Sequence, residues 1–192
     1  MKNVAEPIRV RKLARVAYNP AGRASLWGYS VPVAYKAVDT AQCWIHRQYL
    51  NPQLERLHHP PVTGCDCGFY AMANVDDVPE RAQHQNWLLD VELYGRVKRH
   101  ARGWRAEKQR VLAAVAPDRC VYCAGPCAAL RLYGSSGLVY PVCGLSPTTV
   151  HGLDEQWGMS VSLDVLRAQL APVEITERTK WTSTDSSTSS GK

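Results

Sequence analysis

The chain has 192 residues, 45% of them apolar, with a net charge of +6 and a pI near 9.0. That length fits one domain with extensions or two very small ones. No apolar run approaches the ~20 residues of a membrane span, and the basic balance favours anionic partners. Six Trp and nine Tyr stand beside a single Phe. Trp and Tyr bury area but need partners for their polar ends, so many are expected half-buried or at a binding surface. The first residues, Met1-Lys-Asn-Val-Ala-Glu-Pro7, hold no apolar segment of signal-peptide type, so a cytoplasmic location is expected. In that reducing compartment seven Cys in clustered pairs suit metal ligation better than disulfides, and an odd count cannot pair completely.

In chain order, residues 1–30 carry Arg9, Arg11, Lys12, Arg15 and Arg23 among short apolar residues. Val10, Leu13 and Val16 fit one face of a short helix, while Ile8-Arg-Val-Arg11 suits a strand equally, so the segment is expected to be a basic arm. Pro32 makes Val31–Tyr35 extended. After the Pro- and His-rich stretch around His58-His59-Pro60-Pro61, a short helix is expected over 67–74, starting at Cys67. A second is expected over Val78–Gln85, with Asp77 as N-cap and Pro79 in its first turn. From Leu89 the pattern alternates: Leu89, Val91, Leu93, Gly95 and Val97 on one face, Asp90, Glu92, Tyr94, Arg96 and Lys98 on the other, as in a half-buried strand. Residues 104–115 have good helix propensity, yet Gly103 lies between two segments able to pair, and a hairpin is expected. Leu138–Val142 is another strand, with Gly134–Gly137 the turn before it. Ser162 can cap a helix over Leu163–Leu170, terminated by Pro172. From Thr182 on the chain is almost all Ser, Thr, Asp and Gly and is expected to be disordered.

The strongest chemical signal is Cys120-Val-Tyr-Cys123, followed by Cys127 and, on an apolar run, Cys143. Two thiols with two residues between them reach one ion from a tight turn, as in a zinc knuckle. A four-thiolate ribbon would place a fourth Cys at 146, which is Ser; Cys127 or His151 is the alternative fourth ligand. A second set comprises Cys43, His58 or His59, Cys65 and Cys67, an acceptable zinc donor set. Cys67 at a helix start would instead be a reactive thiol. One zinc, and at most two, is therefore expected.

Arg96, Lys98, Arg99, His100, Arg102, Arg105, Lys108 and Arg110 cluster around Trp104, which suits gripping a phosphate backbone and stacking on a base. A solvated basic face diluted by Glu107 is the competing view. No nucleophile elbow, phosphate loop or His-x-x-x-His helix occurs. The deaminase pattern fails because Asp118-Arg119 precedes the Cys pair and no His-x-Glu lies upstream.

Gly64-Cys-Asp-Cys-Gly-Phe-Tyr-Ala71, then Val91-Glu-Leu-Tyr-Gly-Arg-Val97, then Arg102-Gly-Trp-Arg-Ala-Glu107 resemble a group of uncharacterised proteins from actinobacteria and their phages. The resemblance spans roughly residues 40–116. It implies a shared fold there and no known activity, with the host cytoplasm as location if the protein is phage-encoded.

Taken together, the expected fold is α+β: a small antiparallel sheet with short helices and a zinc-knuckle-like cluster. Its parts would be a basic arm (1–30), one zinc-stabilised domain (31–176, knuckle 118–151) and a disordered tail (177–192). Structural zinc supplies on the order of 10 kcal/mol to such loop-rich folds. The expected function is that of a non-enzymatic, phage- or prophage-type binding protein contacting nucleic acid through the basic hairpin. A protein-interaction module or inhibitor of a host factor, using exposed Trp and Tyr, and a thiol-based redox protein are the alternatives.

Overall fold

The computed structural model describes residues 2–3, 6–29, 34–41, 59–61, 67–74, 77–134, 136–143 and 157–178. Among them are twelve strands and two helices. In chain order they are β1 (Lys2–Asn3), β2 (Ile8–Tyr18), β3 (Ala24–Gly28), β4 (Ala34–Tyr35), β5 (Val38–Thr40), β6 (Phe69–Met72), α1 (Glu80–Gln85), β7 (Trp87–His100), β8 (Gly103–Val115), β9 (Ala129–Tyr133), β10 (Leu138–Val142), β11 (Trp157–Val161), α2 (Leu163–Leu170) and β12 (Glu174–Thr176). All strands join one sheet, antiparallel throughout except where β12 runs parallel to β8. The protein is thus far richer in sheet than an α+β description conveys. No helix among the described residues is long and apolar enough to cross a membrane.

The β7–β8 hairpin forms the centre, with a two-residue turn between His100 and Gly103. Its expected alternation holds: Leu89, Val91, Leu93 and Val97 are buried, and the intervening residues are half-buried. Helix propensity over 104–115 loses because that segment has partners on both edges. One edge pairs with β7, and the other takes β6, β5 and β12 in succession. Gly103 is obligatory, since a Cβ there would lie 2.1 Å from the Ala71 carbonyl oxygen of β6. Two bulges bend the hairpin, one at Gly95 (φ +73°), where Glu107 accepts hydrogen bonds from the Arg96 backbone and side chain.

Residues 8–28 correct the expectation of an arm. β2 pairs with β7 over residues 8–14, with β3 over 14–18 and with β10 at 16–17, and Arg11 pairs with Met72 of β6. The path β2–β7–β8–β6 therefore closes on itself, a barrel-like curl that removes open edges. The helical spacing of Val10, Leu13 and Val16 was a coincidence of a strand buried on both faces. Val16, Leu26, Leu89, Leu93 and Val111 belong to the main core, whereas Leu13 and Leu88 form a small cluster on the opposite side.

Two helix expectations also change. Residues 69–72 are a strand, because Phe69 and Ala71 alternate inward against Tyr70 and Met72 and pair with β8. α1 begins at Glu80, and Pro79 (ψ 132°) occupies the cap position with no side-chain cap from Asp77. α2 is as expected: Ser162 Oγ accepts from the Val165 N–H at 3.2 Å, and Leu166 and Leu170 are buried. Leu138–Val142 is the expected strand. The tail beyond Arg178 lies outside the described residues. Glu177 and Arg178, placed in that tail by the sequence, are held by Arg167 and by the Gln83 carbonyl.

One inward position of β2 is a lysine. Lys12 is 6% exposed, donates to Gln109 Oε1 at 3.1 Å, and lies 4.3 Å from the Tyr35 ring centroid. Burial lowers its amine from the usual 10.5 to about 7. Burial, reinforced by the charge of Asp39, pushes the Tyr35 phenol up to about 12. Between about 7 and 10.5 the unfolded chain holds a proton on Lys12 that the folded chain has released. Stability therefore rises with pH across that window, by about 1 kcal/mol per unit from this residue, with the penalty fully present below it. Urea-unfolding midpoints measured from pH 6 to 9 are expected to climb for the natural chain. Lys12→Met is expected to flatten that rise and to be more stable at pH 6.

Candidate metal centre

The sulfur ligands are assembled by a turn and a strand end. After β8 the chain runs through Ala116-Pro117 into a tight hairpin: Cys120 N–H donates to the Gly125 carbonyl, Ala124 N–H donates to the Cys120 carbonyl, and Arg119 bridges Pro126. Ala124 takes the left-handed conformation (φ 57°) that turns the chain back after Cys123. Gly125 follows because a Cβ there would sit 3.3 Å from the Cys123 sulfur. Cys143 arrives from the end of β10, which is clamped to the turn by the Val121 N–H to Pro141 carbonyl bond.

The result is three thiols, Cys120, Cys123 and Cys143, whose sulfurs all lie within 4.8 Å of one another. The Cys123 and Cys143 sulfurs are 3.9 Å apart. A disulfide requires about 2.05 Å. Two thiolates sharing a tetrahedral zinc at about 2.3 Å stand about 3.8 Å apart. The spacing thus fits a shared ion and not a covalent bond. Cys120 is buried, Cys143 half-buried and Cys123 exposed, so the cluster spans from core to surface. Burial pushes the Cys120 thiol up, but the backbone N–H groups of Cys123, Tyr122 and Cys143 aimed at its sulfur outweigh that and leave it below the usual value. This is how a protein prepares a thiolate for a metal. The donor set fits zinc or another thiophilic ion.

Cys127 is not part of the cluster. It lies on the returning leg of the turn, its N–H bonded to the Asp118 carbonyl, and its sulfur donates to the Ala129 carbonyl oxygen at 3.3 Å. Burial pushes its thiol up, so it keeps its proton. The other candidate for the fourth ligand, His151, lies outside the described residues. So do Cys43, His58 and Cys65 of the second set. Of its remaining members, His59 is exposed and Cys67 is buried.

The knuckle rests on α1, a support the sequence did not reveal. Gln85 Nε2 donates to the carbonyls of Cys120 (2.7 Å) and Val121 (3.1 Å), and Arg81 donates to that of Tyr122 (3.0 Å). His84 Nδ1 and Asp118 Oδ1 share a hydrogen bond of 2.6 Å, and the His84 carbonyl accepts from Asp118 and Arg119. Nothing in local spacing marks residues thirty-five positions apart as partners.

The basic set is partly dispersed. Arg96 is committed to Glu107 and to the Pro60 carbonyl, Arg110 pairs with Glu92 at 3.4 Å, and Arg105 is 2% exposed with its Nη1 on the Tyr70 hydroxyl. Lys98 and Lys108 are half-buried. The hairpin turn keeps Arg99 and Arg102 exposed, with the Arg99 guanidinium 5.4 Å from the Trp104 ring. Strand alternation explains the dispersal, since eight residues along two strands cannot share one face.

No protein-family model, curated protein or solved structure matches the chain.

Two outcomes test the centre. Metal analysis of protein purified without added zinc is expected to lose one equivalent on Cys123→Ser or Cys143→Ser and to keep it on Cys127→Ser. Gln85→Ala is expected to weaken zinc affinity by about tenfold in chelator competition, as loss of an outer-shell support does.

Proposed function

We propose that the protein is a non-enzymatic binding module, cross-linked by zinc, that contacts the nucleic-acid backbone with the turn of its β7–β8 hairpin. The observation that carries this is the turn itself: Arg99, His100, Ala101 and Arg102 are all exposed, and Arg99 stands over Trp104. Two guanidinium groups bind phosphates, and an aromatic plane beside them offers a base a surface to stack on. The net charge of +6 draws a polyanion toward it. Metal fits a supporting role, because the thiol cluster pins the loop-rich half of the chain without facing the hairpin turn in sequence or pairing. The phage or prophage origin and the cytoplasmic setting belong to the same proposal and rest on the residues that resemble the actinobacterial group.

Fluorescence anisotropy with labelled single-stranded and duplex oligonucleotides tests it. Affinity is expected to fall steeply with salt, and Arg99→Ala and Arg102→Ala are each expected to reduce the salt slope by about 1. Binding to neither oligonucleotide at low salt would overturn the nucleic-acid reading and favour a protein partner.

A further inference from the structure

The interior of the closed path β2–β7–β8–β6 holds more hydrogen-bond donors than acceptors. Lys12 and Gln109 are 6% and 0% exposed. An ammonium and a primary amide offer five N–H bonds between them. One is used, from Lys12 Nζ to Gln109 Oε1 at 3.1 Å. Among the described residues Gln109 Nε2 is fully buried and meets no acceptor, and Lys12 forms no ion pair. Buried polar groups are almost always satisfied, and buried charges are paired. Both donors belong to one contact, so a single acceptor group can receive them together.

The walls around them are aromatic. Nζ lies 4.3 Å from the Tyr35 ring centroid and 5.8 Å from that of Phe69, and the two rings meet edge to face at 5.9 Å. We propose that Lys12, Gln109, Tyr35 and Phe69 form a buried binding site for a small carboxylate whose apolar body lies against the two rings. A carboxylate's two oxygens match one ammonium and one amide. A phosphate dianion would call for more than the one cation that this pair supplies. A water molecule would satisfy the amide and leave the amine free to shed its proton above about pH 7, whereas a carboxylate would hold that proton in place. This site is independent of the thiol cluster and of the hairpin turn.

Of the titratable groups on the strands packed around it, Tyr35 on β4 stays neutral to about 12, and Asp39 on β5 pairs in register with Gln109 while accepting from the Thr40 and Lys36 N–H groups. The released proton of the buried amine must return when the anion binds, so affinity is expected to weaken by up to about tenfold per pH unit above neutrality.

Melting temperatures with benzoate, acetate, inorganic phosphate or matched chloride provide the test. Benzoate is expected to raise the melting temperature, acetate to do so less, and phosphate and chloride to have no specific effect. Lys12→Met, which removes the buried charge, and Gln109→Glu, which supplies a carboxylate within the chain, are each expected to abolish the benzoate response while folding. Calorimetry in two buffers of different ionisation enthalpy is expected to show proton uptake at pH 8. No benzoate response, a response retained in both variants, or a response to phosphate alone would each overturn the proposal.

Discussion

The antiparallel pairing of Trp87–His100 with Gly103–Val115 is the constraint from which the rest of this structure takes its position. A hairpin that long, bent by bulges on both strands, cannot lie flat. It curls until β6, paired to β8, also meets β2, paired to β7, and the circuit closes. Closure gives the protein an inside, into which Leu89, Val91 and Leu93 project, and it leaves the short strands β5 and β12 to finish the free edge of β8. Gly103 sits where this curl brings two backbones together, with no room for a side chain.

The thiol cluster answers a different need. The chain after β8 leaves the barrel through Ala116 and Pro117 and does not return to it until β10 pairs with β2. Over that excursion Ala116 and Leu130 join the main core, with Cys127 and Leu132 packed against it. A metal joining Cys120 and Cys123 to Cys143 would tie the turn to the strand that brings the chain back, and the amide of Gln85 ties the same turn to α1. The two fastenings would be complementary in chemistry, one ionic and one neutral, acting on adjacent carbonyl and sulfur atoms. Burial pushes the Cys120 thiol up, and the backbone N–H groups around its sulfur outweigh that and bring it below the usual value. Cys127, a few residues away, shifts the opposite way because burial outweighs its backbone hydrogen bonds at Ala129 and Val142.

The buried Lys12 is the element that stability alone does not explain. An apolar residue of the same length would fill that position without the cost of burying an amine that has no ion-pair partner among the described residues. Lys12 stands beside an amide with a spare donor, in a wall otherwise built of Tyr35 and Phe69, and so places polar chemistry inside the fold.

The sequence by itself determined what depends on neighbours in the chain. The two-residue spacing of Cys120 and Cys123, the alternation from Leu89 to Val97, the glycine between the hairpin strands and the Ser162 cap are all local, and each appears where local rules place it. What only the tertiary structure decided depends on partners far away in the chain. Residues 8–18 became a central strand because β7 and β3 cover both edges, against a helical spacing that served equally well on paper. Phe69–Met72 became a strand because β8 was there to receive it, though four residues are too few for a period to declare itself. The basic cluster divided because strands send neighbours to opposite faces, and Cys127 left the metal set because its leg of the turn bonds to Asp118. Spacing can say which side chains are able to meet, but only the paths of the intervening backbone determine which of them do.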